Sequence, residues 1–183
     1  MSIRALTVAL TLIAPAMAAA QSPSPSLAAR RSPVCTAQEA RQFDFWVGEW
    51  DVYVRGALGG RNLITKEHGG CALVEHWAAT GGPSTGTSVN FYDPARGKWH
   101  QTWAGSGGGF LLLDGGWNGE RMVLEGDRKQ GDAMVKNRIS WQPLPGGHVR
   151  QTWETAQGTG EWMIAFDGVY VPKGSPPPAA SRP

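Results

Sequence analysis

The chain has 183 residues, with 17 Lys and Arg against 15 Asp and Glu, 41% hydrophobic residues, 25 Gly, 13 Pro and 9 Trp. A formal net charge of +2, with no basic cluster interleaved among the aromatics, excludes a nucleic-acid surface. The two cysteines, Cys35 and Cys71, fit no zinc-binding spacing.

In chain order, residues 1–20 have the make-up of a cleaved signal peptide. Arg4 supplies a positive start, Ala5 to Ile13 a short apolar core, and Ala18-Ala19-Ala20 a small-residue cleavage pattern ahead of Gln21. The apolar run is too short to span a bilayer, so no membrane span is expected and the location is periplasmic or extracellular. Residues 21–34 form a Ser/Pro linker and residues 173–183 a Pro-rich tail. Neither holds enough apolar surface to offset its ordering entropy. Between them, residues 35–172 are long enough for one domain with a core of its own. In an oxidising compartment an even pair of cysteines reads as a disulfide, here Cys35 to Cys71.

A helical period is confined to Thr36–Trp46, where Thr36 stands as a candidate N-cap. Beyond it, short β-branched and aromatic runs alternate with Gly- and Pro-containing turns. The expected strands are Glu49–Arg55, Arg61–His68, Ala72–Ala79, Thr87–Tyr92, Lys98–Ala104, Phe110–Trp117, Arg121–Gly126, Met134–Gln142, His148–Thr155 and Glu161–Tyr170. Turns fall at 57–60, 93–97, 117–120 and 143–147, and Asn118-Gly119 is the clearest two-residue hairpin signal. Evenly spaced short strands joined by hairpin-length turns predict an all-β, antiparallel meander. Closure into a single β-barrel of roughly eight to ten strands removes its exposed edges.

Side chains alternate across a strand, so its two faces can be compared. Trp50 and Val52 oppose Asp51 and Tyr53, and Trp99, Gln101 and Trp103 oppose Lys98, His100 and Thr102. Ile139 and Trp141 oppose Arg138 and Ser140, and Val149, Gln151 and Trp153 oppose Arg150, Thr152 and Glu154. Trp162, Ile164 and Phe166 oppose Glu161, Met163 and Asp167. The tryptophans take the more apolar face throughout, which is therefore the interior. On Thr87–Tyr92, alternation leaves open whether Ser88 and Asn90 or Val89 and Phe91 point inward.

The run FDFWVGEWDV, Phe43 to Val52, gathers four aromatics around Gly48. A short N-terminal helix or turn bearing Phe43, Phe45 and Trp46 would plug one end of the barrel, with Trp50 packing inward after the bend at Gly48. Gly48-Glu49-Trp50 resembles the Gly-x-Trp that begins the first strand of lipocalins and other calycins. Together with 70–77 (GCALVEHW), 86–93 (GTSVNFYD) and 99–103 (WHQTW), the run resembles a family of secreted bacterial proteins of unknown function with a lipocalin-like barrel. The resemblance covers most of Phe43 to Tyr170. It implies a calycin-type fold and brings no activity or catalytic residues with it. No Arg follows Tyr170 before the tail, where lipocalins place one against the opening Trp.

The inward face is not wholly apolar. Glu75 lies between Leu73 and Trp77, and Gln101 and Gln151 each lie beside tryptophans. A buried carboxylate needs a partner, a wet cavity or a ligand, and its pKa should be raised because no inward cation is in view. Three readings follow. In the first, a small, partly apolar ligand is bound by Glu75, Trp77, Trp99, Gln101, Trp103, Gln151 and Trp153. In the second, an enzyme uses the same cavity with Glu75 as general acid or base. In the third, the barrel is filled, serves a structural or envelope role, and its polar groups set strand register. His76 and His100 face outward and His68 and His148 adjoin turns, so no metal or haem site is expected, and no cofactor.

Overall fold

The computed structural model describes the chain from Val34 to Pro177. The expected signal peptide (residues 1–20), residues 21–33 of the expected linker and residues 178–183 of the expected tail lie outside the described residues. Ten strands follow one another: β1 (Gly48–Val54), β2 (Ala57–Glu67), β3 (Ala72–Ala79), β4 (Thr85–Asp93), β5 (Lys98–Gly105), β6 (Phe110–Trp117), β7 (Met122–Gln130), β8 (Ala133–Leu144), β9 (His148–Gln157) and β10 (Met163–Pro172). Each pairs antiparallel with its neighbour in sequence, and β1 pairs with β10 through Trp50 opposite Pro172 and Val52 opposite Tyr170. The result is a closed all-β meander, in which every strand has a partner on both sides.

The short helix or turn expected over 36–46 takes the form of single 3₁₀ turns, Val34–Thr36, Glu39–Arg41 and Asp44–Trp46. This suits its task, because the segment must fold back on itself beneath the barrel rather than run along it. Phe43 and Trp46 are fully buried and stack on each other at 4.9 Å. Phe43 also meets Trp99 and Trp141 edge-on, at 5.6 and 5.0 Å. Trp50 donates its indole N–H to the Trp46 carbonyl (2.9 Å) and packs against Tyr170 at 6.2 Å. Tyr170 thus covers the opening tryptophan from the last strand. Outside this cluster Lys66 on β2 pairs with Asp44 at 2.5 Å. The disulfide Cys35–Cys71 ties the start of the plug to the turn ahead of β3. By loop closure alone, a bridge of this span contributes about 4 kcal/mol.

Three expectations are corrected by the backbone. The two-residue hairpin lies at Arg55-Gly56, between paired Val54 and Ala57, so that Ala57–Gly60 belongs to β2. Arg55 and Gly56 both have positive φ, 51° and 80°, as a type I′ turn requires to match the strand twist. Asn118-Gly119 instead opens a four-residue loop between paired Trp117 and Met122, where Asn118 Oδ1 accepts from the amides of Glu120 (3.0 Å) and Arg121 (2.9 Å). Its side chain holds the turn that the backbone would otherwise have to close alone.

The third correction concerns Trp162 and Ile164, which do not face inward. The register of β10 against β9 shifts between Ile164 and Phe166, so that Ile164 lies opposite outward Glu154 while Phe166 lies opposite inward Trp153. Ile164 is 66% exposed. Trp162 precedes the strand and stacks beneath the Arg138 guanidinium at 4.2 Å. One extra residue reverses the faces on either side of it, which strict alternation cannot anticipate. After β10 the chain stays on the barrel for a few residues more, with the Lys173 amide bonded to the Glu49 carbonyl at 2.9 Å and its ammonium to the Glu49 carboxylate at 2.6 Å.

Trp50→Ala should lower stability by about 3–5 kcal/mol, as for a large buried aromatic. Thr87→Ala, on the solvent face of β4, should stay within about 0.5 kcal/mol. Urea unfolding of the two variants checks this, and similar losses would show the inner and outer faces to be wrongly assigned. Reduction of Cys35–Cys71 should lower the melting temperature, and the unreduced protein should carry no thiol titratable from these two residues.

Candidate functional site

The plug fills one half of the barrel and leaves the other half hollow. Trp77, Trp103 and Trp153 stand on the halves of β3, β5 and β9 farther from the plug, and all three are only partly buried. They surround a cavity of about 200 Å³ whose wall also includes Ser84, Leu111, Ile139, Trp141, Phe166 and Tyr170. Of the residues singled out from the sequence, Glu75, Trp77, Gln101, Trp103, Gln151 and Trp153 come together here. Trp99 does not. It is 2% exposed beneath the cavity, edge-on to Phe43, with its indole N–H donated to the Glu39 carbonyl (3.1 Å).

Room for the tryptophan rings comes from inward glycines on neighbouring strands. A Cβ on Gly60 would lie 2.2 Å from the Trp77 ring, and one on Gly86 would lie 2.7 Å from the Trp103 ring. Both distances are closer than packed atoms tolerate, so each ring lies over a position that only glycine leaves open.

Glu75 is 5% exposed at the cavity floor. Its Oε1 accepts from Asn62 Nδ2 (2.7 Å) and its Oε2 from the Ser88 hydroxyl (2.6 Å). From Ser88 the chain of bonds passes to Asn90 Nδ2 (2.9 Å), and Asn90 Oδ1 accepts from Gln101 Nε2 (2.7 Å). On the other side, Asn62 Nδ2 also reaches the Tyr170 hydroxyl (3.2 Å), which donates to Gln151 Oε1. A continuous polar belt thus crosses β9, β10, β2, β3, β4 and β5 inside an otherwise aromatic barrel.

Burial raises the Glu75 carboxyl above its ordinary 4.5, outweighing the Ser88 and Asn62 hydrogen bonds and the charge of His76, which lower it. Burial, with the neighbouring Glu75, likewise lifts the Tyr170 hydroxyl well above the usual 10.0. Both groups are therefore held toward their neutral forms, and no Lys, Arg or His is among the residues lining the cavity.

The question left open on β4 is settled by burial. Ser88 and Asn90 are inside, 1% and 0% exposed, while Val89 and Phe91 are outside at 41% and 39%. Asn62 and Tyr170 belong to the same network and were not among the sequence candidates. Asn62 shares the parity of Ile64 on β2, and Tyr170 that of Phe166 on β10, so alternation carried a signal for both. On the outer surface, His100 Nδ1 meets Asp114 (2.9 Å), Nε2 meets Thr102 (2.9 Å), and Arg96 also grips Asp114. Among the described residues no group of His, Cys, Asp and Glu is placed to hold a metal ion, and no helix is long and apolar enough to cross a membrane. No protein-family model matches the chain, and no curated protein matches it either. The barrel, its buried aromatic cluster and this cavity therefore carry the functional argument by themselves.

The direction of the Glu75 shift fixes a sign. With a folded-state pKa above 4.5, the native carboxyl holds its proton more tightly than the unfolded one. Its contribution to stability is then complete below about pH 4.5 and is lost as pH rises through the raised value. Glu75→Gln, neutral at every pH, should lack this loss, so its stability relative to the parent should improve as pH rises from 4 toward 8. Urea midpoints measured across that range would test it, and parallel curves would count against a desolvated carboxyl.

Proposed function

We propose that this is an exported, calycin-like β-barrel protein that binds a small, partly apolar ligand in the tryptophan-lined cavity. The observation that carries the reading is the cavity itself. An aromatic wall with a few polar side chains converging on one floor is the usual composition of a small-molecule site. The disulfide is in keeping with an oxidising compartment, and the leader-like residues 1–20 with a route to it.

Binding is favoured over catalysis by the state of Glu75. Both of its oxygens already accept hydrogen bonds, from Asn62 and Ser88, and the side chain is almost wholly buried in the belt, so little of the carboxyl is presented to a substrate. Binding is favoured over a filled structural barrel by the hollow half of the interior. Native mass spectrometry of freshly purified protein tests the reading, with intrinsic fluorescence as a second measure. An adduct of small mass, lost on unfolding, is expected, and apolar aromatics should quench the tryptophans. Trp103→Ala and Trp153→Ala should each weaken that quenching several-fold, as the loss of stacking area at a wall implies. No adduct, combined with fluorescence unchanged by any aromatic added, would falsify ligand binding.

A further inference from the structure

The polar belt narrows the chemistry of the ligand, on the premise that the cavity is a binding site. On β4 and β5 its amide orientations are set by a group with no choice of role. The Leu73 carbonyl can only accept, so Asn90 turns Nδ2 toward it (3.1 Å) and offers Oδ1 to Gln101 Nε2 (2.7 Å). Gln101 Oε1 is thereby left as an acceptor to which no described residue donates, in a side chain 1% exposed. Across the cavity, the Tyr170 hydroxyl accepts from Asn62 and spends its single proton on Gln151 Oε1. Gln151 Nε2 is left as a donor with no acceptor among the described residues. On the barrel wall β5 and β9 are separated by β6, β7 and β8 on one side and by β4, β3, β2, β1 and β10 on the other. The free acceptor and the free donor therefore face the cavity from different sides. Polar groups withdrawn from solvent nearly always find a partner. Gln101 is almost wholly buried and Gln151 half-buried, and both line the cavity beside Trp141, whose buried indole N–H has no partner among the described residues. Their free ends point to a partner that is brought in.

We infer that the cavity selects a small, uncharged, planar aromatic molecule with a hydrogen-bond donor on one edge and an acceptor on the opposite edge, as a fused-ring vinylogous amide such as 4-quinolone has. Its N–H meets Gln101 Oε1, its carbonyl meets Gln151 Nε2, and its ring lies against Trp77, Trp103 and Trp153. Size agrees: an apolar cavity of about 150 Å³ accepts benzene, so about 200 Å³ suits one or two fused rings rather than an extended acyl chain. Charge agrees as well. No cationic side chain lines the wall to receive an anion, and the Glu75 carboxyl, held toward its neutral form by burial, offers a cation little charge.

Calorimetric titration of the purified protein with four molecules of similar size tests this: 4-quinolone, naphthalene, 2-naphthoate and 2-naphthylmethylammonium. The quinolone should bind about tenfold tighter than naphthalene, as a pair of net hydrogen bonds would give, and both ions more weakly than naphthalene. Gln101→Met and Gln151→Met should each cost the quinolone more affinity than they cost naphthalene, bringing the two ligands closer together. Equal affinity for quinolone and hydrocarbon, or tightest binding of either ion, would overturn the inference and leave the binding reading standing. Failure of all four to bind would remove both. Should the Met variants not fold, the ranking of the four ligands on the unsubstituted chain decides the matter alone.

Discussion

The pairing of β1 with β10 is the constraint from which the remaining features follow. Closing ten strands in sequence order satisfies every strand edge, but it encloses more width than the inward side chains of a small barrel fill. Something must occupy the surplus. At one end the chain supplies its own filling, because the segment before β1 folds back and places Phe43 and Trp46 between Trp99, Trp141 and Tyr170. The aromatic density around Gly48 is thus explained by geometry: the residues that seal the barrel must directly precede the strand that begins it. The disulfide and the Lys66–Asp44 pair hold that seal from outside.

The plug reaches only part of the way, and the polar belt marks roughly where it stops. Below it, the packing is aromatic on aromatic, with indole N–H groups of Trp50 and Trp99 given to backbone carbonyls of the plug. Above it, the tryptophans of β3, β5 and β9 are half-buried around open space. The belt is costly in isolation, since Glu75 alone would be an unpaired buried acid. Its cost is offset by partners from both neighbouring strands, and these same bonds favour one register between β2, β3 and β4. A slip by one residue would turn Glu75 outward and send its partners to the wrong face. The belt thus has a structural role of its own, apart from the recognition proposed for its free ends.

Much of this architecture was legible in the sequence, because it depends on alternation, and alternation is local. All ten strands were expected, two of them with the observed limits, Ala72–Ala79 and Phe110–Trp117. The inward placement of Glu75, Gln101 and Gln151 follows from the tryptophans beside them. The losses have distinct causes. Trp162 and Ile164 were misplaced by a register shift that adds one residue to β10 and leaves no compositional trace. Ser88 and Asn90 were left open because β4 inverts the usual rule, carrying Val89 and Phe91 on its outer face and the belt on its inner one. Trp99 was grouped with the cavity tryptophans because it shares a face with Trp103. Parity tells inside from outside but not depth along the barrel, and the two indoles stand on opposite sides of the belt.

Depth also explains how the glycines are used. The inward face of β2 carries Gly60, Asn62 and Ile64 in succession, from the open half toward the plug. That sequence of sizes matches what each level has to accept: the flat ring of Trp77 over Gly60, the belt at Asn62, and solid core at Ile64. On β4 the order is Gly86, Ser88 and Asn90, again with no side chain at the level where Trp103 lies against the wall. Placing bulk on one strand and absence of bulk on its neighbour makes the rings lie along the wall instead of projecting into the centre. A barrel that merely needed filling would gain more packing from larger side chains at Gly60 and Gly86. Keeping them empty thins the wall and preserves the hollow, and this distribution of volume favours a cavity held open over a core left incompletely packed.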